Sequence, residues 1–232
     1  MTKRAALKRL IESSSAAIFD FDNVIVDSEP YHFEAYARVF AKRGHSLDRD
    51  EYWLEWTSRG GGAEGEIRRY HLDLDANAIR AEKDPIYAEF CGSGAIRPFL
   101  EAGSIIEALH EAGLTLAIAS GSYERDIRAI LHAHGLEGYF SVIVGKDRIK
   151  KCKPHPDTYR IAAQKLGVTP HTCLAIEDAE KGIKSAQDAG MRVILIETPL
   201  TRDLHIAGAD LTLSNLAELN GLLHDIARPR KR

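Results

Sequence analysis

The stretch Phe19-Asp20-Phe21-Asp22-Asn23-Val24-Ile25-Val26-Asp27-Ser28 places two aspartates two residues apart, directly after a short apolar run. In an extended segment residues i and i+2 point the same way, so both carboxylates can face one pocket where the strand ends. Acids this close repel each other, and proteins keep them beside a cation or where one must hold a proton. The pair points to a metal site, an acid/base site, or both.

Other polar residues stand where apolar runs end. Ser120 follows Leu114–Ala119, Lys153 lies after Val142–Val144, and Glu177-Asp178 follow Cys173–Ile176. Four carboxylates, a hydroxyl and an ammonium would thus meet at one sheet edge. Hard oxygen ligands in that number suit Mg²⁺, which is usually held by a few carboxylates together with a substrate phosphate. The lysine and the hydroxyl are suited to phosphate oxygens. Taken singly, each has a local reading: Asp178 or Asp157 as the N-cap of the helix that follows it, Ser120 and Ser122 as caps at a strand-to-helix turn, Lys153 as a solvated loop lysine. Their ordered placement at successive strand ends is what caps alone do not require.

The elements that must position these groups are legible as alternation. Leu114–Ala119, Val142–Val144, Cys173–Ile176 and Val193–Ile196 are near-continuous apolar runs, the form of strands buried on both faces of a parallel sheet. Between them Tyr159, Ala162, Ala163 and Leu166 recur at one-helix-face spacing, and Gly113, Gly135, Gly167 and Gly190 follow helical stretches where a left-handed residue is wanted. This predicts an α/β fold, a doubly wound parallel sheet with a Rossmann-like core and right-handed crossovers. A first strand over Ala16–Phe21 belongs to it, but about ninety residues separate it from Leu114. Residues 31–97 read as a small helical domain inserted after that strand, with a glycine-rich interruption at Ser58–Gly65 and a hinge at Gly92-Ser93-Gly94. Residues 1–30 and 98–232 would form the core, with the insertion over the carboxyl ends of the strands, where open α/β sheets bind ligands.

Composition narrows the partners. The 232 residues are 44% hydrophobic and 28% charged, with a net charge of -3. There is no basic footprint and no aromatic residues interleaved with Lys and Arg, which argues against nucleic acid. No apolar run approaches a membrane span. Cys91, Cys152 and Cys173 form no CxxC pair and read as reduced thiols of a cytoplasmic protein. The basic end Arg228-Pro229-Arg230-Lys231-Arg232 reads as a disordered tail.

Asp20-Phe21-Asp22 with Val24, Asp27 and Ser28, then Ala119-Ser120-Gly121-Ser122, Lys153-Pro154-His155-Pro156-Asp157, and Ile176-Glu177-Asp178 resemble the four ordered motifs of the haloacid dehalogenase-like hydrolases. The insertion resembles the helical cap of the β-phosphoglucomutase and phosphoglycolate-phosphatase branch. The resemblance implies that Asp20 is a nucleophile forming an aspartyl phosphate. It implies Mg²⁺ held by Asp20, the backbone carbonyl of Asp22, Glu177 and Asp178. Asp22 would be the acid/base, Ser120, Gly121 and Lys153 would hold the phosphoryl group, and His32 and Arg59 would serve the substrate from the insertion. The expected activity is that of a phosphatase for a small phosphorylated metabolite, in a monomer or weak homodimer. The alternatives are a sugar-phosphate mutase and a phosphate-binding or regulatory protein with little turnover.

Three departures from the family pattern matter. Asn23 stands where glycine is usual, although asparagine tolerates positive φ well. Ala179 replaces a frequent serine. Ser120-Gly121-Ser122-Tyr123-Glu124 lacks the lysine with which mutases hold a second phosphate and carries an acid instead, which favours the phosphatase.

Overall fold

The computed structural model describes residues 1–58, 61–199, 201–204 and 206–227. They fall into two compact units, Met1–Asp27 with Arg97–Arg232, and Ser28–Ile96. Arg59 and the basic tail after Ala227 lie outside the described residues.

The first unit is built on six strands: β1 Ala16–Phe19, β2 Thr115–Ala119, β3 Phe140–Val144, β4 Cys173–Glu177, β5 Arg192–Ile196 and β6 Leu211–Leu213. All pair in parallel, in the order β3-β2-β1-β4-β5-β6. The strand order reverses direction at β1, so the crevice beyond its end is where this topology places a ligand. Register sets the neighbours of that crevice: Phe19 lies opposite both Ile118 and Ile176, so the chain leaves β1, β2 and β4 at nearly the same level.

Burial on both faces explains the apolar runs. Ala16, Ile18, Ala117, Ala119, Cys173, Ala175, Val193 and Leu195 join one core cluster with Tyr159, Ala162, Ala163, Ile183 and Ala186 from the helices Asp157–Leu166 and Glu180–Asp188. The alternate residues Ala17, Phe19, Leu116, Ile118, Leu174, Ile176 and Ile194 are equally buried and point to the opposite face. Lys3–Glu12, Ala102–Glu111 and Leu216–Ala227 pack against β2, β6 and one another. The helix Asp157–Leu166 ends on Gly167 with φ 71, as its placement in the sequence predicts.

β1 is shorter than the sequence suggests, because the chain turns at Asp20. Asn23 N–H donates to the Val26 carbonyl at 2.9 Å and Ile25 N–H to the Phe21 carbonyl at 2.9 Å, with Asn23 at φ 60. Asn23 thus takes the left-handed conformation that its residue type tolerates.

The second unit is helical: Glu29–Ala41, Arg49–Glu51 running into a π-helical turn Tyr52–Ser58, Gly62–Arg69 and Ala76–Gly92. Val39, Phe40, Leu47, Tyr52, Trp56, Ala63 and Ile79 form its core. Buried Glu66 meets His45 Nε2 at 2.7 Å and accepts from Trp56 Nε1 at 3.1 Å. Among the described residues, no helix is long and apolar enough to cross a membrane.

Candidate active site

Asp20, Ser120 and Asp178 each occupy the first position after a strand, and Glu177 is the last residue of β4. Asp20 is fixed by its N–H donating to the Ile176 carbonyl at 2.9 Å, and Ser120 by its N–H donating to Val144 at 3.0 Å. Lys153 comes from the loop before the helix Asp157–Leu166, through a cis bond to Pro154. Its ammonium donates to Asp20 Oδ1 and to Glu177 Oε1, both at 2.6 Å.

The second aspartate faces a different set of partners. Asp22 Oδ2 accepts from Ser122 Oγ at 2.7 Å and from Ser120 Oγ at 3.3 Å, while Ser122 N–H donates to Ser120 Oγ at 2.9 Å. The capping readings do not hold. The helix Glu124–Ala133 has Tyr123 at its N-cap, Asp157 is already helical, and the helix Glu180–Asp188 has Ala179 at its N-cap. Gly121 lies between the two serines, and a Cβ there would touch nothing within 4 Å.

Asp20, Glu177 and Asp178 bring carboxylate oxygens within 4.8 Å of one another, and all three residues are buried. Burial, opposed by Lys153 and reinforced by the charges of Glu177 and Asp22, pushes the Asp20 carboxyl up to about 7. Burial, followed by the charges of Asp20 and Glu177, holds Asp178 well above the usual carboxylate range. Burial alone would depress Lys153, but Asp20 and Glu177 keep its ammonium above the ordinary lysine value. When ionised, three acids facing one ammonium leave an excess of buried negative charge, and the donors are all hard oxygens. That set fits a divalent cation.

Among the predicted residues, Asp20, Asp22, Ser120, Lys153, Glu177 and Asp178 meet at the strand ends. His32 lies in the helical unit, where its Nδ1 is 2.8 Å from Lys83 Nζ and its ring stacks on Tyr87 at 3.9 Å. Four residues carry more than their sequence positions reveal. Ser122 holds Asp22, Lys83 meets His32, Tyr159 donates to Glu177, and Gly182 packs against Glu177 so closely that a Cβ would overlap the carboxylate. The Ser120-Gly121-Ser122 run signals the first, and Tyr159 lies in the first turn of the helix Asp157–Leu166 that follows the Lys153 loop. Nothing in the local sequence signals Lys83.

The acidity attributed to Glu124 is also spent elsewhere. Its carboxylate pairs with Arg148 at 2.6 Å and Arg128 at 2.9 Å, while Lys146 Nζ lies 3.7 Å from the centre of the Tyr123 ring.

A parallel α/β sheet whose strand ends bring two aspartates and a Glu-Asp pair together with a loop lysine defines a hydrolase class. Residues 15–190 match the haloacid dehalogenase-like hydrolase family, and the chain belongs to it. It is 33% identical to protein CbbY of Cereibacter sphaeroides, over 89% of this chain and 94% of that protein. It is 31% identical to fructose-1-phosphate phosphatase YqaB of Escherichia coli, over 80% of this chain and 97% of that one. A solved structure of a CbbY variant from Rhodobacter sphaeroides in complex with xylulose-(1,5)bisphosphate superposes with a TM-score of 0.76 at 29% identity, covering 89% of this chain and 96% of that chain. With these relatives, the chain's class is that of the phosphoric monoester hydrolases.

Proposed function

We propose that the protein is a Mg²⁺-dependent phosphatase of a small phosphorylated metabolite, a sugar phosphate or similar phosphomonoester, acting through an aspartyl phosphate on Asp20. The observation that carries the reading is the division between the two aspartates. Asp20 is bound to the buried ammonium of Lys153, whereas Asp22 is bound to two hydroxyls. One is thereby suited to be a nucleophile and the other a proton carrier.

In the first step an Asp20 oxygen forms a bond to phosphorus as the bond from phosphorus to the leaving oxygen breaks. Asp22, protonated, gives its proton to that oxygen. In the second step a water attacks the aspartyl phosphate, Asp22 recovers a proton from it, and Asp20 is released as carboxylate with inorganic phosphate. Lys153 has three N–H donors and uses two on Asp20 and Glu177; the third is assigned to a phosphoryl oxygen, with Ser120 beside it. Mg²⁺ held by Asp20, Asp178 and the Asp22 carbonyl would neutralise phosphoryl charge. The helical unit, residues 31–97 in the sequence reading, is assigned the choice of substrate. Small phosphorylated sugars are favoured by the names of the relatives, among them a fructose-1-phosphate phosphatase.

Purified protein with Mg²⁺ is expected to release phosphate from an aryl phosphate and from members of a phosphomonoester panel. Asp20→Asn is expected to abolish release while the melting transition is retained. Silence across the whole panel would replace this reading with phosphate binding without turnover. Conversion of β-glucose 1-phosphate to glucose 6-phosphate would replace it with a mutase.

A further inference from the structure

Glu177 has been grouped with the acids that face a cation, yet its carboxylate is already occupied. A carboxylate has about four acceptor directions. Oε1 accepts from Lys153 Nζ at 2.6 Å and from the Tyr159 hydroxyl at 2.8 Å. Oε2 accepts from the N–H groups of Asp178 at 3.1 Å and Ala179 at 3.4 Å. Gly182, in the first turn of the next helix, closes the remaining side, since any Cβ there would overlap the carboxylate. Tyr159 is fully buried, and the Lys153 ammonium also lies 4.8 Å from the centre of its ring.

We infer that Tyr159 and Glu177 are positioning residues: the Tyr159 hydroxyl fixes the Glu177 carboxylate, which in turn fixes Lys153 and the backbone that presents Asp178, and Glu177 is not itself a metal ligand. A ligand oxygen would have to displace one of these four donors, and a displaced Tyr159 hydroxyl or Asp178 N–H would lose the acceptor it has here. Tyr159 offers two contacts at once, an O–H to the carboxylate and a ring face to the ammonium. Phenylalanine would keep the second and lose the first. The inference rests on the phosphatase reading for the role of Lys153, and its test separates the two.

Titrate Mn²⁺ into the full-length protein by calorimetry, then inorganic phosphate into the Mn²⁺-loaded protein, for the parent and for Glu177→Gln, Asp178→Asn and Tyr159→Phe. Asp178→Asn is expected to weaken Mn²⁺ by more than about tenfold, and Glu177→Gln and Tyr159→Phe by less than about threefold. Tyr159→Phe is expected to weaken phosphate by about fivefold, to raise KM by about the same factor, and to lower kcat by about tenfold. Equal loss of Mn²⁺ binding in Glu177→Gln and Asp178→Asn would make Glu177 a ligand and overturn the inference. So would a Tyr159→Phe protein with parental phosphate affinity. Absence of turnover in the parent would remove the phosphatase reading, and the two binding titrations would still decide the roles of Glu177 and Tyr159.

Discussion

Both units bury carboxylates, but they treat the charge in opposite ways. In the helical unit Glu66 is a single acid met by the His45 ring, the Trp56 N–H and, at 3.9 Å, Arg69. Its charge is answered locally, and the cluster ties three segments of that unit together. In the α/β unit Asp20, Glu177 and Asp178 crowd one crevice with Lys153 as their cation. Compensated buried charge holds architecture together; buried charge in excess marks where something else must bind. The same contrast implies that the first arrangement contributes to stability and the second costs it.

Removing the cation of the second arrangement should have the largest effect. Lys153→Met is expected to lower phosphatase kcat by about 10³-fold, checked by steady-state kinetics at saturating Mg²⁺. Next comes the acid of the first arrangement. Glu66→Ala leaves the buried Trp56 N–H and the partly buried His45 ring without their acceptor, and urea unfolding should show a loss of about 2 kcal/mol. A stability unchanged by that substitution would break the comparison.

The excess acid should behave the other way. Asp178→Asn relieves repulsion from Asp20 and Glu177, so the metal-free protein should gain about 1 kcal/mol at pH 8 while losing its metal response. The pH dependence follows the same logic. Burial pushes the Asp20 carboxyl up to about 7 in the folded protein, whereas an aspartate of the unfolded chain titrates near its ordinary value of about 3.9. Metal-free stability should therefore fall as pH rises from about 4 through 7. The rise in melting temperature given by Mg²⁺ should grow between pH 5 and pH 8, because the cation takes the place of the lost proton. A rise independent of pH would show that Asp20 is not in the cation site.

The smallest effects concern the backbone, where among the described residues each unit has one non-glycine residue at positive φ: Asn23 at 60° and His71 at 50°. Glycine at either should be neutral or stabilise by up to about 1 kcal/mol. Asn23→Gly should leave kcat within about twofold if the turn is already in its working conformation.

Much of this was legible in the sequence because the strands are buried on both faces and so lack alternation, leaving Asp20, Ser120 and Glu177-Asp178 as abrupt polar interruptions. Asn23 also announced its turn through residue type. β6 was not legible: three residues, Leu211–Leu213, at the end of the sheet carry too little pattern. Partners distant in sequence were not legible either. Glu124 reads as an acid beside the site, but Arg128 and Arg148 consume its charge. Tyr159 reads as one apolar face of a helix, and only the fold reveals that its hydroxyl meets Glu177.

The bond between Lys153 and Asp20 joins residues 133 positions apart, with the whole helical unit between them in the chain. During biosynthesis that unit, one uninterrupted stretch, can complete itself while Lys153 has yet to be translated. Asp20 would therefore spend much of synthesis without its cation, and a chain ending before Lys153 would carry Asp20 and Asp22 with the crevice still incomplete.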